Sequence, residues 1–373
     1  MTSQSGLTSV LLAGGGSAGH VSPLLALADC LRRRDPDVRI TALGTHMGLE
    51  QRLVPARGYD LRIIPKVAFP RRPGVALVRL PGALKAAVDA AGAAIDETKP
   101  EVVVGFGGYV STPAYLAARR RKIPIVVHEQ NARPGLANRL GARMTPYVAT
   151  TFASTSLPHA TLIGMPLRRE IARLDRAVNR AEALAHFGLS DHTPTLLVTG
   201  GSLGAERLNS AFASRVDELR SHGIQVLHVS GLGKEFLPGP TTPGMPGLPY
   251  VVVAYVDRMD LAYAVADLVV ARAGANTVCE LTAVGLPAVY VPLPIGNGEQ
   301  RLNAADVVAA GGGVLADDAS LTPEWIDETL VPLITDESRM RTMAAAAFSI
   351  GERESDERLA DLVAVAASSR GAQ

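Results

Sequence analysis

A chain of 373 residues is too long for one ordinary domain and suits two α/β domains, each with its own core. Apolar residues make up 47% and charged residues 20%, which excludes a disordered chain, and a net charge of +1 excludes a nucleic-acid binder that works by bulk electrostatics. The two cysteines, Cys30 and Cys279, are far apart and have no metal-ligand companions, as expected in a reducing cytoplasm.

Residues 1–8 lack the basic and then apolar pattern of a signal peptide. No apolar run approaches the ~20 residues that a spanning helix needs, so any membrane contact is expected to be peripheral. An apolar run at 10–13 leads into Gly14-Gly15-Gly16-Ser17-Ala18-Gly19-His20 and a helical pattern through Arg33. Residues 38–43 read as the second strand. A run at 102–104 leads into Gly105-Phe106-Gly107-Gly108 and a helix at 113–120, whose basic end at 119–122 reads as a solvated face. Ile123-Pro124 then introduces a strand at 125–127, followed directly by His128.

Residues 157–168, rich in Pro, Gly and small polar residues, read as a join. Beyond it the same order returns. A run at 195–198 leads into Gly200-Gly201-Ser202-Leu203-Gly204 and a helix from Glu206. A run at 268–270 leads into Arg272-Ala273-Gly274-Ala275-Asn276 and a helix at 277–284. Leu286-Pro287 then introduces a strand at 288–291. Residues 339–367 read as helix with a break near Gly351, able to pack back across the domains. Continuous apolar strands alternating with helices predict parallel sheets buried on both faces. The fold class is α/β, with two Rossmann-like, doubly wound domains facing a cleft.

The glycine turns narrow the chemistry. Gly14-x-Gly16-x-x-Gly19 after a strand fits a dinucleotide fingerprint, but the acidic ribose anchor is missing: the second strand ends in Gly44-Thr45-His46, and Asp35 and Asp37 precede it. No Gly-Lys-Ser/Thr follows any turn, which excludes a P-loop ATPase. Helix N-termini with free N–H groups hold anions, and Ser202 adds a hydroxyl at the second-half turn, a fitting cradle for a diphosphate. No Asp-x-Asp pair stands where a diphosphate-bound metal would need it and no His/Cys ligand cluster appears, so no metal is expected, and no cofactor is called for.

Residues 13–20, 105–109, His128-Glu129-Gln130-Asn131, 200–205, 272–280 and Glu299-Gln300-Arg301-Leu302-Asn303 occur in the order seen in the MurG family, and the chain resembles that family from about 10 to about 351. The resemblance implies the GT-B fold and inverting transfer of N-acetylglucosamine from UDP-N-acetylglucosamine to a lipid-linked muramoylpentapeptide, at the cytoplasmic face of the cell membrane. It implies an acceptor- and membrane-binding domain at 1–164, onto which a helix at about 350–373 packs back, and a donor-binding domain at 165–349. Ser202 and Arg168 would hold the diphosphate, Val256 would lie by uracil, Glu280 would accept from both ribose hydroxyls, and Gln300 would contact the sugar. Asn131 would approach the donor sugar from the other domain, and Ser17 and Gly19 would join the substrate-binding set. His20 is the first candidate for the general base and Glu129 the second. Met165, Leu203 and Arg301 depart from the family pattern.

Residues 61–88 carry Arg62, Lys66, Arg71, Arg72, Arg79 and Lys85, interleaved with apolar residues and with no acidic one. The span reads either as a solvated amphipathic face or as a patch for an anionic membrane surface. Three rival functions share some of these features. A UDP-N-acetylglucosamine 2-epimerase would need no acceptor, an NAD oxidoreductase would need the missing acid, and a nucleotide-sugar sensor would bind without turnover.

Overall fold

Alternation of inward-facing apolar residues on two sides of each strand builds the first half of the molecule. The structure is a computed structural model that describes residues 6–67, 75–201, 204–239, 247–295 and 297–372. Seven parallel strands form one sheet: β1 Ser9–Ala13, β2 Arg39–Gly44, β3 Asp60–Ile63, β4 Val102–Gly105, β5 Ile125–Glu129, β6 Tyr147–Thr150 and β7 Ala160–Leu162, in the order β3-β2-β1-β4-β5-β6-β7. Leu11 stands level with Thr41 on one side and Val103 on the other. Val10, Leu12, Val102 and Val104 pack into one buried cluster, while Leu11, Ala13 and Val103 pack into another, as the two-residue period of a strand requires. Each buried leucine or valine stabilises the fold by roughly 1.5–3 kcal/mol.

The first cluster is closed by a segment from the far end of the chain. Leu359, Ala360, Val363 and Ala366 are fully buried on the helix Ser355–Ser368 and lie against the helix Ala18–Arg34. Their spacing makes one apolar stripe. Arg33 pairs with Asp356 at 2.7 Å, and Arg34 with Glu357 and Asp361 at 2.7 Å each. Half-exposed pairs of this kind add little energy, so the stripe provides the attachment. The preceding helix, Glu337–Ile350, ends at Gly351, where the sequence reading put a break.

By its contacts the chain divides into one unit of Met1–Arg168 with Glu354–Gln373 and a second of Arg169–Arg353. The second unit has its own six-stranded parallel sheet: β8 Thr195–Thr199, β9 Gln225–Val229, β10 Tyr250–Val253, β11 Leu268–Ala271, β12 Ala288–Tyr290 and β13 Gly313–Leu315, in the order β10-β9-β8-β11-β12-β13. In both sheets the order reverses beside the first strand, between β1 and β4 and between β8 and β11. Loops at the carboxyl ends of strands flanking such a reversal splay apart and leave a crevice for a ligand.

Candidate functional site

The first unit gathers its candidate residues on the turns after β1, β4 and β5. The helix Ala18–Arg34 starts at Ser17, which is exposed and extended (φ −124°, ψ 161°), and the serine hydroxyl makes no capping bond. The first turn of that 17-residue helix holds no acidic residue. Its N-terminal N–H groups and dipole therefore favour an anion beside Ser17 and Gly19. The turn is held from within by Glu50, which sequence reasoning missed. Its Oε2 accepts from the Gly16 N–H at 2.8 Å, and its Oε1 accepts from the Thr45 N–H and hydroxyl at 2.9 and 3.1 Å. An acid thus does follow the second strand, but it is fully buried and turned onto protein groups rather than toward a ribose.

The half-buried ring of His20 rests on the turn after β4. A Cβ at Gly108 would come within 3.2 Å of His20 Cδ2 and 2.6 Å of the Gly15 carbonyl, and the residue has φ +77°. Only glycine meets both conditions, which explains the Gly107-Gly108 pair of the second turn. On its other side His20 Nδ1 lies 3.0 Å from Gln130 Oε1.

Glu129 is placed differently from a free base. Its carboxylate is buried, with Oε1 accepting from the Asn131 N–H at 2.9 Å and Oε2 from the Gly135 N–H and Asn138 Nδ2 at 3.0 Å each. Three donors make it the organiser of the loop that carries Asn131. Asn138, also missed in the sequence, completes that network by accepting from the Tyr115 hydroxyl at 2.9 Å. His128, expected just after the strand, instead lies inside β5, because the ladder to β6 runs on to Glu129.

In the second unit the candidates sit at the carboxyl ends of β8, β10, β11 and β12. The turn after β8 keeps Gly201 N–H on Thr199 Oγ1 at 3.2 Å. Gly204 has φ +66°, and a Cβ there would fall 2.2 Å from the Ser230 carbonyl. Ser202 and Leu203 lie outside the described residues. Val256 is buried in the turn after β10, where the Gly231 N–H bonds the Ala254 carbonyl at 3.1 Å. Helix Ala275–Ala283 starts at Gly274 without a side-chain cap, and on its second turn Glu280 Oε2 accepts from the Tyr263 hydroxyl at 2.8 Å. Gln300 Oε1 accepts from the Leu293 N–H at 2.8 Å, so this residue shapes the loop after β12. Of the residues that depart from the family pattern, Arg301 is ion-paired with Asp317 and Met165 is buried in the first unit. Arg168 is half-buried and falls with the first unit by its contacts. Arg272 bonds Asp318 at 2.6 Å and the Val291 carbonyl at 3.2 Å, tying two turns together.

Residues 10–150 match the glycosyltransferase family 28 N-terminal domain, and residues 195–362 match the C-terminal domain of the same family. The chain is 58% identical over 356 residues to the UDP-N-acetylglucosamine--N-acetylmuramyl-(pentapeptide) pyrophosphoryl-undecaprenol N-acetylglucosamine transferase of a Nocardioides species, covering 95% of this chain and 97% of that one. It is 56% identical to the protein of the same name from Streptomyces coelicolor, over 97% and 99% of the two chains.

The chain belongs to the MurG family.

The crystal structure of MurG from Acinetobacter baumannii matches it with a TM-score of 0.77 at 28% identity, over 95% of this chain and 99% of that one. A UDP-GlcNAc 2-epimerase from Neisseria meningitidis matches with a TM-score of 0.65 at 13% identity, which shows the shared fold alone. The two parallel-sheet domains are thus those of a GT-B glycosyltransferase, as the sequence led us to expect. Among the described residues of this MurG-family chain, one His/Cys/Asp/Glu group could bracket an ion: Cys30, Asp356 and Glu357. It lies away from the glycine turns, and both of its carboxylates already bind arginines.

Each sheet also buries one histidine completely, His128 in β5 and His228 in β9. Burial pushes both imidazoles down from 6.5 to about 4, in His128 against the opposing pull of its hydrogen bond to the Gly164 carbonyl. An unfolded chain protonates these rings near pH 6.5, whereas the folded one resists until about pH 4. The unfolded state therefore binds more protons below pH 6.5, and stability is lost as pH falls from about 6.5 through about 4, by roughly 3 kcal/mol per ring when complete. The thermal midpoint should be nearly level above pH 7 and fall steadily between pH 6.5 and 4.5. A level midpoint across that lower range would contradict the neutral burial of both rings.

Proposed function

We propose that this chain transfers N-acetylglucosamine from UDP-N-acetylglucosamine to the 4-hydroxyl of the muramoyl sugar of a lipid-diphosphate-linked muramoylpentapeptide, with inversion. The observation that carries this reading is the near-full-length identity of 58% to a transferase of that name. The site geometry is compatible with it in both units. In the first unit an exposed serine at an uncapped helix start offers a seat for the acceptor's diphosphate, next to His20 as general base. In the second, Glu280 would take the ribose hydroxyls of the donor, Val256 would lie by uracil, and Gln300 would face the sugar. Ser202 and Arg168 would stabilise the leaving diphosphate, with Asn131 approaching the donor sugar. The first unit would bind the acceptor and the second the donor.

The test is UDP release from UDP-N-acetylglucosamine with and without the lipid-linked muramoylpentapeptide. Release should depend on the acceptor, and the disaccharide product should appear with it. Epimerised sugar in the absence of acceptor would favour the epimerase instead, and preferential binding of NADH would overturn both.

The same reading places the enzyme peripherally on the cytoplasmic face of the membrane. Among the described residues no helix is long and apolar enough to cross a membrane. Met47 and Tyr109 on turns, and Leu136 at the start of the helix Leu136–Gly141, are exposed at the carboxyl end of the first sheet, the end that carries His20. Within the basic span, Arg62 pairs with Glu97, Lys85 pairs with Asp89, and Lys66 lies over the Tyr109 ring. Arg71 and Arg72 lie outside the described residues, as does the side chain of Arg79, and the patch is expected to depend on these three. Changing all three to Gln should weaken binding to anionic vesicles by about 1 kcal/mol per charge, and high salt should reproduce the loss. Donor affinity should not change. Vesicle binding that ignores both mutation and salt would reduce the span to a solvated face.

A further inference from the structure

A chain of hydrogen bonds runs from the buried interior of the first unit to the candidate base. His128 Nε2 lies 2.9 Å from the Gly164 carbonyl oxygen, which can only accept, so this nitrogen carries the proton. The ring is fully buried and holds its pKa at about 4, so it is neutral near pH 7 and its Nδ1 bears a lone pair. Gln130 Nε2 donates to that Nδ1 at 2.9 Å and to the His128 carbonyl at 2.8 Å. Both amide protons are thereby used, and a flipped amide would set its oxygen against two acceptors. The amide therefore has one orientation, with Oε1 presented to His20 Nδ1 at 3.0 Å. An amide oxygen only accepts, so neutral His20 must be protonated at Nδ1.

We propose that Gln130 and His128 are positioning residues for the transfer reaction: they lock His20 as its Nδ1–H tautomer, which leaves the Nε2 lone pair to take the proton of the attacking hydroxyl. The neutral side chain of a free histidine in water prefers the opposite tautomer, with the proton on Nε2, where it would block a base. The lock reverses that preference without a carboxylate. Among the described residues, the titratable groups packed around this turn include Glu50, bonded to Gly16, Glu129, bonded to Asn138, and Tyr109, whose ring would lie 4.0 Å from a Cβ at Gly16. None of them takes the place of Gln130 at His20 Nδ1 in the hydrogen bonds of the described residues.

This inference rests on His20 being the base, and the test separates the two. In full-length enzyme labelled with ¹⁵N in its histidines, neutral His20 should show a protonated Nδ1 and an unprotonated Nε2. The opposite pattern in wild-type enzyme would overturn the lock whatever any variant does. Gln130→Met keeps the volume and removes the amide. It should lower kcat by about 10- to 100-fold with the donor KM unchanged, and move His20 toward the Nε2–H form. Gln130→Glu restores an acceptor for Nδ1–H, so it should recover part of kcat and shift the acidic limb of the pH–rate profile upward, because a carboxylate stabilises the imidazolium. Gln130→Met with wild-type kcat and an unchanged His20 spectrum would sink the lock while leaving the base intact. Wild-type turnover in His20→Ala would instead sink the base, and with it the purpose of the lock.

Discussion

Replacing His20 by alanine should lower turnover by about 10²- to 10⁴-fold and leave the affinity for UDP-N-acetylglucosamine unchanged. A sugar hydroxyl is a poor nucleophile, and removing its proton in the transition state is the contribution a positioned imidazole makes. The ring sits at the start of a long helix, against Gly108 on one side and Gln130 on the other, and its loss removes nothing from the second unit, which holds Val256, Glu280 and Gln300 of the proposed donor set. Single-turnover kinetics with saturating donor would isolate the chemical step. If turnover stays near wild type, Glu129 returns as the alternative. In that case the base would be a carboxylate that also accepts from the Asn131 N–H, the Gly135 N–H and Asn138 Nδ2. A Glu129 substitution should therefore also disturb the fold of the 131–138 loop, which a pure base would not.

The second large effect is expected at Glu280. Changing it to alanine should weaken UDP-N-acetylglucosamine binding by roughly 10- to 100-fold, because hydrogen bonds to a charged acceptor are worth about 1.5–3 kcal/mol and each 1.4 kcal/mol is tenfold in affinity. Tyr263 holds the carboxylate through Oε2, so Tyr263→Phe should produce a smaller loss of the same kind. Calorimetric titration with UDP and with 2′,3′-dideoxy-UDP decides the cause. Wild type should prefer UDP strongly, and the alanine variant should bind both alike. An alanine variant that keeps the preference for the ribose hydroxyls would remove Glu280 from the site and leave its carboxylate as a dipole partner within its own helix.

By itself the sequence determined the class of fold and the order of the turns. Runs such as Val10-Leu11-Leu12-Ala13 and Val102-Val103-Val104 are short, apolar without alternation and followed at once by glycine, the pattern of a strand buried on both faces ahead of a turn, so the central strands could be read directly. Glycines directly after those runs marked the strand-to-helix turns, where residues such as Gly108 and Gly204 tolerate no side chain. The outer strands were not legible in the same way. β9 places Gln225 and His228 in its fully buried stretch, and β7 is exposed along its length, so neither shows a clean pattern.

Only the tertiary structure decided what the polar residues of the site do. Glu129 and Glu50 are both carboxylates near glycine turns, and nothing in their spacing reveals that one folds the 131–138 loop while the other latches Gly16 from 34 residues away. Gln130 stands two residues from His128 and 110 from His20, and it joins them because β5 ends level with the turn after β1. Local spacing records which side chains share a face of one element. A buried hydrogen bond, by contrast, needs a donor and an acceptor brought within about 3 Å from separate elements, and that coincidence exists only once the sheet has formed.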